Sequence, residues 1–335
     1  MKKVVITGVA GFLGSHIADS FLSLGWDVIG IDNLVGGYES NIPVGVDFIK
    51  ADLLDSLSYG NHLDKAEMVI HAACTAYEGL SVFSPAYIVQ NTTQITVNLL
   101  SLSAKYGIKK FVYLSSMARY GTQKNPFTED MEPKPQDPYG IAKYASELLV
   151  KNICQTHGMK HVILVPHNII GPRQKYDDPF RNVASIMINR ILWDKNLVIY
   201  GSGNQERCFS DISDVIRPIM AACFEDSLDG EIINIGPDEE VVSINQLGIL
   251  ISEKIFGRAF QPIYYDKRPN EVESATCSAN KARKLLGYNT QVTLEESLNK
   301  LASWIQTQEK RDFSYHIPIE IQTAMTPKTW TDKLI

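Results

Sequence analysis

The chain has 335 residues, 44% of them apolar and 21% charged, the composition of an ordinary water-soluble globular protein. It exceeds the ~250–300 residues at which single cores stop growing, so a large domain with a smaller lobe is expected. A net charge of −6 gives no electrostatic footprint for nucleic acid, and the apolar runs are too short to span a membrane.

The Met1-Lys2-Lys3 start runs directly into a strand-like segment with no signal-peptide pattern. Five scattered cysteines (Cys74, Cys154, Cys208, Cys223, Cys277) lack metal-ligand spacing. Together these point to a cytoplasmic protein with reduced thiols and no metal.

In chain order, Val4, Val5 and Ile6 form the apolar run of a buried parallel strand, and Gly8, Gly11 and Gly14 follow it. Glycines there let the backbone approach a pyrophosphate, and a helix opening near Phe12 offers free N–H donors. The spacing is Gly-x-x-Gly-x-x-Gly rather than the Gly-x-Gly-x-x-Gly of the common dinucleotide fingerprint. A second strand over 27–31 ends at Asp32, placed to meet an adenosine ribose 2′-OH. No basic residue follows to hold a 2′-phosphate, so NAD is expected over NADP.

Strand-like runs at 46–49, 67–71, 110–115 and 161–166 alternate with helices near 85–106 and 138–157. That alternation implies an α/β fold, a Rossmann-type doubly wound parallel sheet. Its ligand should lie at the carboxyl ends of the strands, where Asp52, His71-Ala72-Ala73 and Ser115-Ser116 fall. On the second helix Tyr139 and Lys143 stand one turn apart, so the lysine's charge is expected to lower the phenol's pKa toward neutrality.

Beyond Asn168 the pattern is irregular; a strand near 230–235 should return to the sheet, and 240–310 should supply two helices. The expected division is an NAD-binding domain over 1–166, rejoined by 209–237, and a smaller mixed α/β substrate lobe from 167–208 and 238–310. The C-terminal tail, 311–335, carries no identifiable chemistry.

Several motifs occur jointly and in order: Thr7-Gly8-x-x-Gly11-Phe12-x-Gly14, Asp32-Asn33-Leu34, Asp52-Leu53, His71-Ala72-Ala73, Ser115-Ser116-x-x-x-Tyr120-Gly121 and Pro138-Tyr139-Gly-x-x-Lys143. Asn168-x-x-Gly171-Pro172-Arg173, Gly201-x-Gly203-x-Gln205-x-Arg207 and Arg268-Pro269-x-Glu271 follow. In these the chain resembles the extended short-chain dehydrogenase/reductase family, in its nucleotide-sugar epimerase and dehydratase group, over roughly residues 2–310.

The resemblance implies NAD held by Gly8, Gly11, Phe12, Leu13, Gly14, Asp32, Asn33, Asp52, Leu53, Ala72, Ala73, Asn91, Tyr139 and Lys143. It implies Tyr139 as the base at a sugar 4-OH, with Lys143 on the nicotinamide ribose and Ser116 positioning the same hydroxyl. Arg207 and Arg268 would clamp the diphosphate, with Asn168 and Glu271 beside the substrate. It also implies a homodimer through a four-helix contact.

Departures narrow the reaction. The Asp-Glu pair of the family's 4,6-dehydratases is replaced by Met117 and Ala118, which cannot do acid–base work. Pro166-His167-Asn168 resembles a segment of the GDP-mannose 3,5-epimerases, whose catalytic cysteine is absent from the stretch after Ser116. Arg119 either points into the site or lies on a loop surface. Ala275 aligns where the 4-epimerases limit room at the sugar's C2, and a small residue leaves space for an N-acetyl group.

The leading expectation is a UDP-hexose 4-epimerase, accepting the N-acetylated sugar or not. The alternatives are a nucleotide-sugar 4-dehydrogenase, 4-keto reductase or other epimerase on a GDP-sugar, and, in another class, a non-catalytic NAD sensor.

Overall fold

Strands β1 (Lys3–Thr7), β2 (Asp27–Asp32), β3 (Asp47–Lys50), β4 (Met68–His71), β5 (Lys110–Leu114) and β6 (Lys160–Pro166) form one sheet with the later strand Ile232–Ile235. These belong to a computed structural model that describes residues 2–335. Across the sheet the order is Ile232–Ile235, β6, β5, β4, β1, β2, β3, and every neighbouring pair is parallel. The expected return of the 230–235 strand is met, beside β6.

Both faces of the sheet are covered, which is why the inner strands carry near-continuous apolar runs rather than alternating ones, while the edge strand β3 stays partly exposed. Val5, Val69 and Phe111 face a layer that includes Leu99 and Leu100, and Val4, Ile6 and Val112 face one built on Ile17 and Phe21 of helix α1 (Phe12–Ser23). Strand order reverses between β1 and β4, and that switch point opens a crevice at the strands' carboxyl ends.

Two helices frame the crevice. One begins at Pro85–Val89, passes a π turn at Gln90–Gln94 and continues as Ile95–Lys105. The other, Pro138–Thr156, opens with Pro138 in its first turn, and the Asp137 carboxylate accepts the Gly140 N–H at 2.9 Å.

A separate core gathers helix Val183–Leu192, the parallel pair Leu197–Tyr200 and Pro262–Tyr265, and helices Ile244–Ile249 and Leu294–Gln306. Between 240 and 310 there are three helices instead of the expected two. The addition, Asn280–Leu286, buries only Ala282 of its own residues, too little to leave a periodic signature. It packs on the main sheet's side through Ala279, Ala282 and Tyr288.

The tail is also ordered. Ile317, Trp330 and Ile335 are buried with Tyr77, Phe83 and Phe180, and the Glu320 carboxylate accepts the N–H groups of Ala86 and Tyr87 at 2.9 and 2.7 Å. Among the described residues no helix is long and apolar enough to cross a membrane.

Candidate active site

A cavity of about 490 Å³ occupies the crevice and extends into the second core. At its sheet end the backbone leaves no alternative to glycine. Gly8 has φ +73°, and a Cβ there would lie 2.8 Å from the Ala73 nitrogen. A Cβ on Gly14 would stand 2.1 Å from the Gly8 carbonyl oxygen, so the turn and α1 could not close. The result is a narrow cradle at a helix N-terminus, the form that receives a pyrophosphate.

Asp32 closes the far side of the cradle. Its carboxylate accepts the Ala10 N–H at 3.0 Å and the Leu34 N–H at 2.7 Å, while burial raises its pKa against those bonds. Asn33 donates to Asp52 at 3.1 Å and ties the ends of β2 and β3 together. The cradle, the acid at the end of β2 and the apolar walls fit NAD.

Every expected cofactor residue from Gly8 to Asn91 lines the cavity. Asn91 comes from the π turn, whose irregular backbone (φ −82°, ψ 15°) brings it to the wall. His71, at the end of β4, is a brace instead. Its ring bonds the Thr7 and Thr96 hydroxyls at 2.8 and 3.0 Å, and burial lowers its pKa to about 3, so it stays neutral.

Ser116 and Tyr139 both face the cavity; Lys143 does not. Its ammonium lies behind the wall, donating to the Leu114 carbonyl at 2.5 Å and standing 4.6 Å from the centre of the Tyr113 ring. The expected lowering of the Tyr139 pKa is not what its surroundings give. Burial raises it; Lys143 and a hydrogen bond to Ser116 pull it back only in part.

At the other end Arg207, Arg268, Glu271 and Asn168 line the cavity, and Ala275 lines an adjoining side pocket of about 90 Å³. Arg268 is held by Glu271 at 2.8 Å and stacks on Tyr200, 4.7 Å from the ring centre. Arg207 is fixed by the backbone carbonyls of Glu206 at 2.7 Å and Val272 at 2.8 Å, not by the Glu206 carboxylate. Asn168 adopts φ +41°, a left-handed conformation uncommon outside glycine, and reaches both cavities.

Arg119 matches neither expectation. It is buried, packs 5.0 Å over the Tyr120 ring and pairs with the buried Glu147 at 3.1 Å. Glu147 lies one turn beyond Lys143 on the Tyr139 helix and also accepts the Ser115 hydroxyl.

Sequence reasoning missed Glu78, Asp137, His167, Tyr200 and the contribution of Ile335 to the wall. Asp137 was readable as a helix cap before Pro138. The others stand in segments whose place in the cavity only the fold sets.

Residues 4–236 match the NAD dependent epimerase/dehydratase family. The chain is 33% identical to a putative UDP-glucose 4-epimerase of Methanocaldococcus jannaschii, over 92% of this chain and 99% of that one. It is 29% identical to a UDP-glucuronate 4-epimerase of Thermodesulfobacterium geofontis, over 91% and 96%. The fold matches a UDP-glucose 4-epimerase of Thermus thermophilus in complex with NAD, with a TM-score of 0.85, 27% identity and coverage of 91% and 99%. It also matches a UDP-N-acetylglucosamine 4-epimerase of Methanobrevibacter ruminantium in complex with UDP-N-acetylmuramic acid, with a TM-score of 0.84, 29% identity and coverage of 92% and 99%.

Proposed function

Since the chain belongs to the NAD-dependent epimerase/dehydratase family and takes NAD as its cofactor, we propose that it is a 4-epimerase of a UDP-hexose, N-acetylated sugars included, working through a 4-keto sugar. The observation that carries this reading is Ser116 and Tyr139 on one cavity wall, with Met117 and Ala118 where a dehydratase needs an acid and a base. When bound, NAD supplies the hydride chemistry at C4 and gives the hydride back.

The chain's own residues do the rest. Tyr139 takes the proton of the 4-OH and later returns it, Ser116 holds that hydroxyl, and Lys143 favours the phenolate by its charge from behind the wall. Arg207 and Arg268 face the diphosphate, two guanidinium forks that match phosphate oxygens. The side pocket behind Ala275 gives room for an acetamido group.

In the same reading residues 1–166 and 209–237 form the NAD domain, and 167–208 and 238–310 the substrate lobe. The partner in solution is a second copy, paired through the helices at 85–105 and 138–156. Leu99 and Leu100 are spent on the chain's own core, but Val89, Ile141 and Leu148 are 40%, 52% and 49% exposed on those helices. Leu148→Lys should shift the sedimenting species to a monomer; a wild type that already sediments as a monomer removes the dimer.

For the reaction, purified protein incubated with UDP-glucose or UDP-N-acetylglucosamine should produce the C4 epimer with no net absorbance change at 340 nm. Stoichiometric NADH accumulation would instead favour a dehydrogenase.

A further inference from the structure

Glu78 opens the short helix Glu78–Ser81 and borders both the main cavity and the side pocket that also holds Ser116 and Ala275. Its side chain is exposed to the cavity space, and its carboxylate makes no hydrogen bond or ion pair with any described residue. That carboxylate is free to meet a ligand that enters the cavity. The cavity walls partly screen it from bulk water and push its carboxyl up to about 7, with Asp137 and Glu271 adding to the rise and Arg207 and Arg268 opposing it.

The charges around it can be counted. Among the groups lining the side pocket, the charged ones are Glu78, Asp137 and Arg207. Asp137 is occupied with the Gly140 N–H and the Ser81 hydroxyl. His167 donates through Nε2 to the Pro237 carbonyl at 2.9 Å and is neutral, since burial lowers its pKa, so it offers no cation. Arg268 is committed to Glu271, and Arg207 to backbone carbonyls. A bound diphosphate would take up the charge these two arginines have left. Arg181, the other arginine on the main cavity's wall, is paired with Asp178 at 3.6 Å and stacks on the Tyr77 ring at 4.8 Å, so among the described residues no uncommitted cation is left there to neutralise a further anion.

From this juxtaposition we infer that Glu78 selects the sugar: it accepts a hydrogen bond from a hydroxyl or amide N–H of an uncharged hexose and repels a sugar bearing a carboxylate. The inference rests on the nucleotide-sugar reading of the site and narrows it to neutral hexoses. Like charges brought together in a desolvated site are a recurrent means of rejecting a wrong ligand.

The test is equilibrium binding of UDP-glucose and UDP-glucuronate to the NAD-loaded protein by titration calorimetry at pH 8, for wild type, Glu78→Gln and Glu78→Asp. The wild type should bind UDP-glucuronate at least tenfold more weakly than UDP-glucose. Glu78→Gln should reduce the ratio of the two dissociation constants by about tenfold or more, and Glu78→Asp, which keeps the charge, should preserve it. Equal binding of the two by the wild type, an unchanged ratio in Glu78→Gln, or a Glu78→Asp that behaves like Glu78→Gln each overturns the inference. Binding without formation of any C4 epimer would instead count against the epimerase reading alone.

Discussion

Arg119→Met tests whether the buried pair behind the Tyr139 helix stabilises the fold. The Arg119 and Glu147 side chains are 3% and 0% exposed, with 3.1 Å between Nη2 and Oε2. The pair meets by charge more than by a directed bond, because Arg119 Nε and Glu147 Oε2 lack hydrogen-bond partners. Removing the guanidinium leaves the Glu147 carboxylate with the Ser115 hydroxyl alone, and stranding one member of a buried pair costs about 3–5 kcal/mol.

With an unfolding entropy of roughly 0.7 kcal/mol/K for a chain of this length, Tm should fall by roughly 4–7 °C in scanning calorimetry. The loss should depend on pH. Burial already raises the Glu147 carboxyl, and without Arg119 it rises further, so the folded chain holds a proton that the unfolded chain releases. Stability then falls as pH increases between the two values, and the variant should be closer to wild type at pH 5 than at pH 8. Arg119→Met combined with Glu147→Leu should recover most of the loss, since apolar replacements of buried pairs are often neutral. A Tm change below about 1 °C, or a double variant as unstable as the sum of its parts, refutes the reasoning.

Two further outcomes follow from the site and the tail. Tyr139→Phe deletes the proposed base without removing a wall, so kcat should drop by roughly 10²–10⁴ while NAD still co-purifies; activity within tenfold of wild type takes Tyr139 out of the mechanism. Trp330 is 2% exposed and packs edge-on against Phe83 and Phe180, with ring centres 5.9 and 5.4 Å away. Trp330→Ala should cost about 3–5 kcal/mol of tail docking. Limited proteolysis should then cut within 311–335 and leave the rest intact, with KM for the nucleotide sugar raised. A variant as resistant as wild type in that segment contradicts the tail's role as a wall.

The cofactor half was legible because its constraints act on the backbone. Gly8 and Gly14 are required by clashes that any Cβ would make, and the acid at Asp32 follows from where β2 ends, so a linear pattern carries the information. The sheet was readable for a related reason: its inner strands β1, β4 and β5 are buried on both faces and therefore carry nearly continuous apolar runs. Arg119 was misread because its burial depends on Glu147, twenty-eight residues away and on another element. The tail was silent because Trp330 and Ile317 bury against Phe83 and Phe180, partners that no local period announces.

The substrate half differs in kind. Glu78, Ser116, Arg207 and Ala275 come from four segments and meet at one side pocket, so their joint chemistry exists only once the chain is folded. Motif matching reaches Ser116 and Arg207 one by one, yet the proposed selectivity depends on the balance of charge among all of them. In the proposed reading Arg268, paired with Glu271, and Arg207, held by backbone carbonyls, face the diphosphate. Glu78, a carboxylate with no partner among the described residues, is then left to face the sugar. On that reading, moving this one charge should change which sugar the chain accepts. In this chain that charge stands on a short helix directly before Gly79, where a Cβ would come within 3.2 Å of Arg268 Nη1. The proposed phosphate clamp thus packs against the turn that carries the proposed sugar selector, and a substitution at Gly79 should disturb both at once.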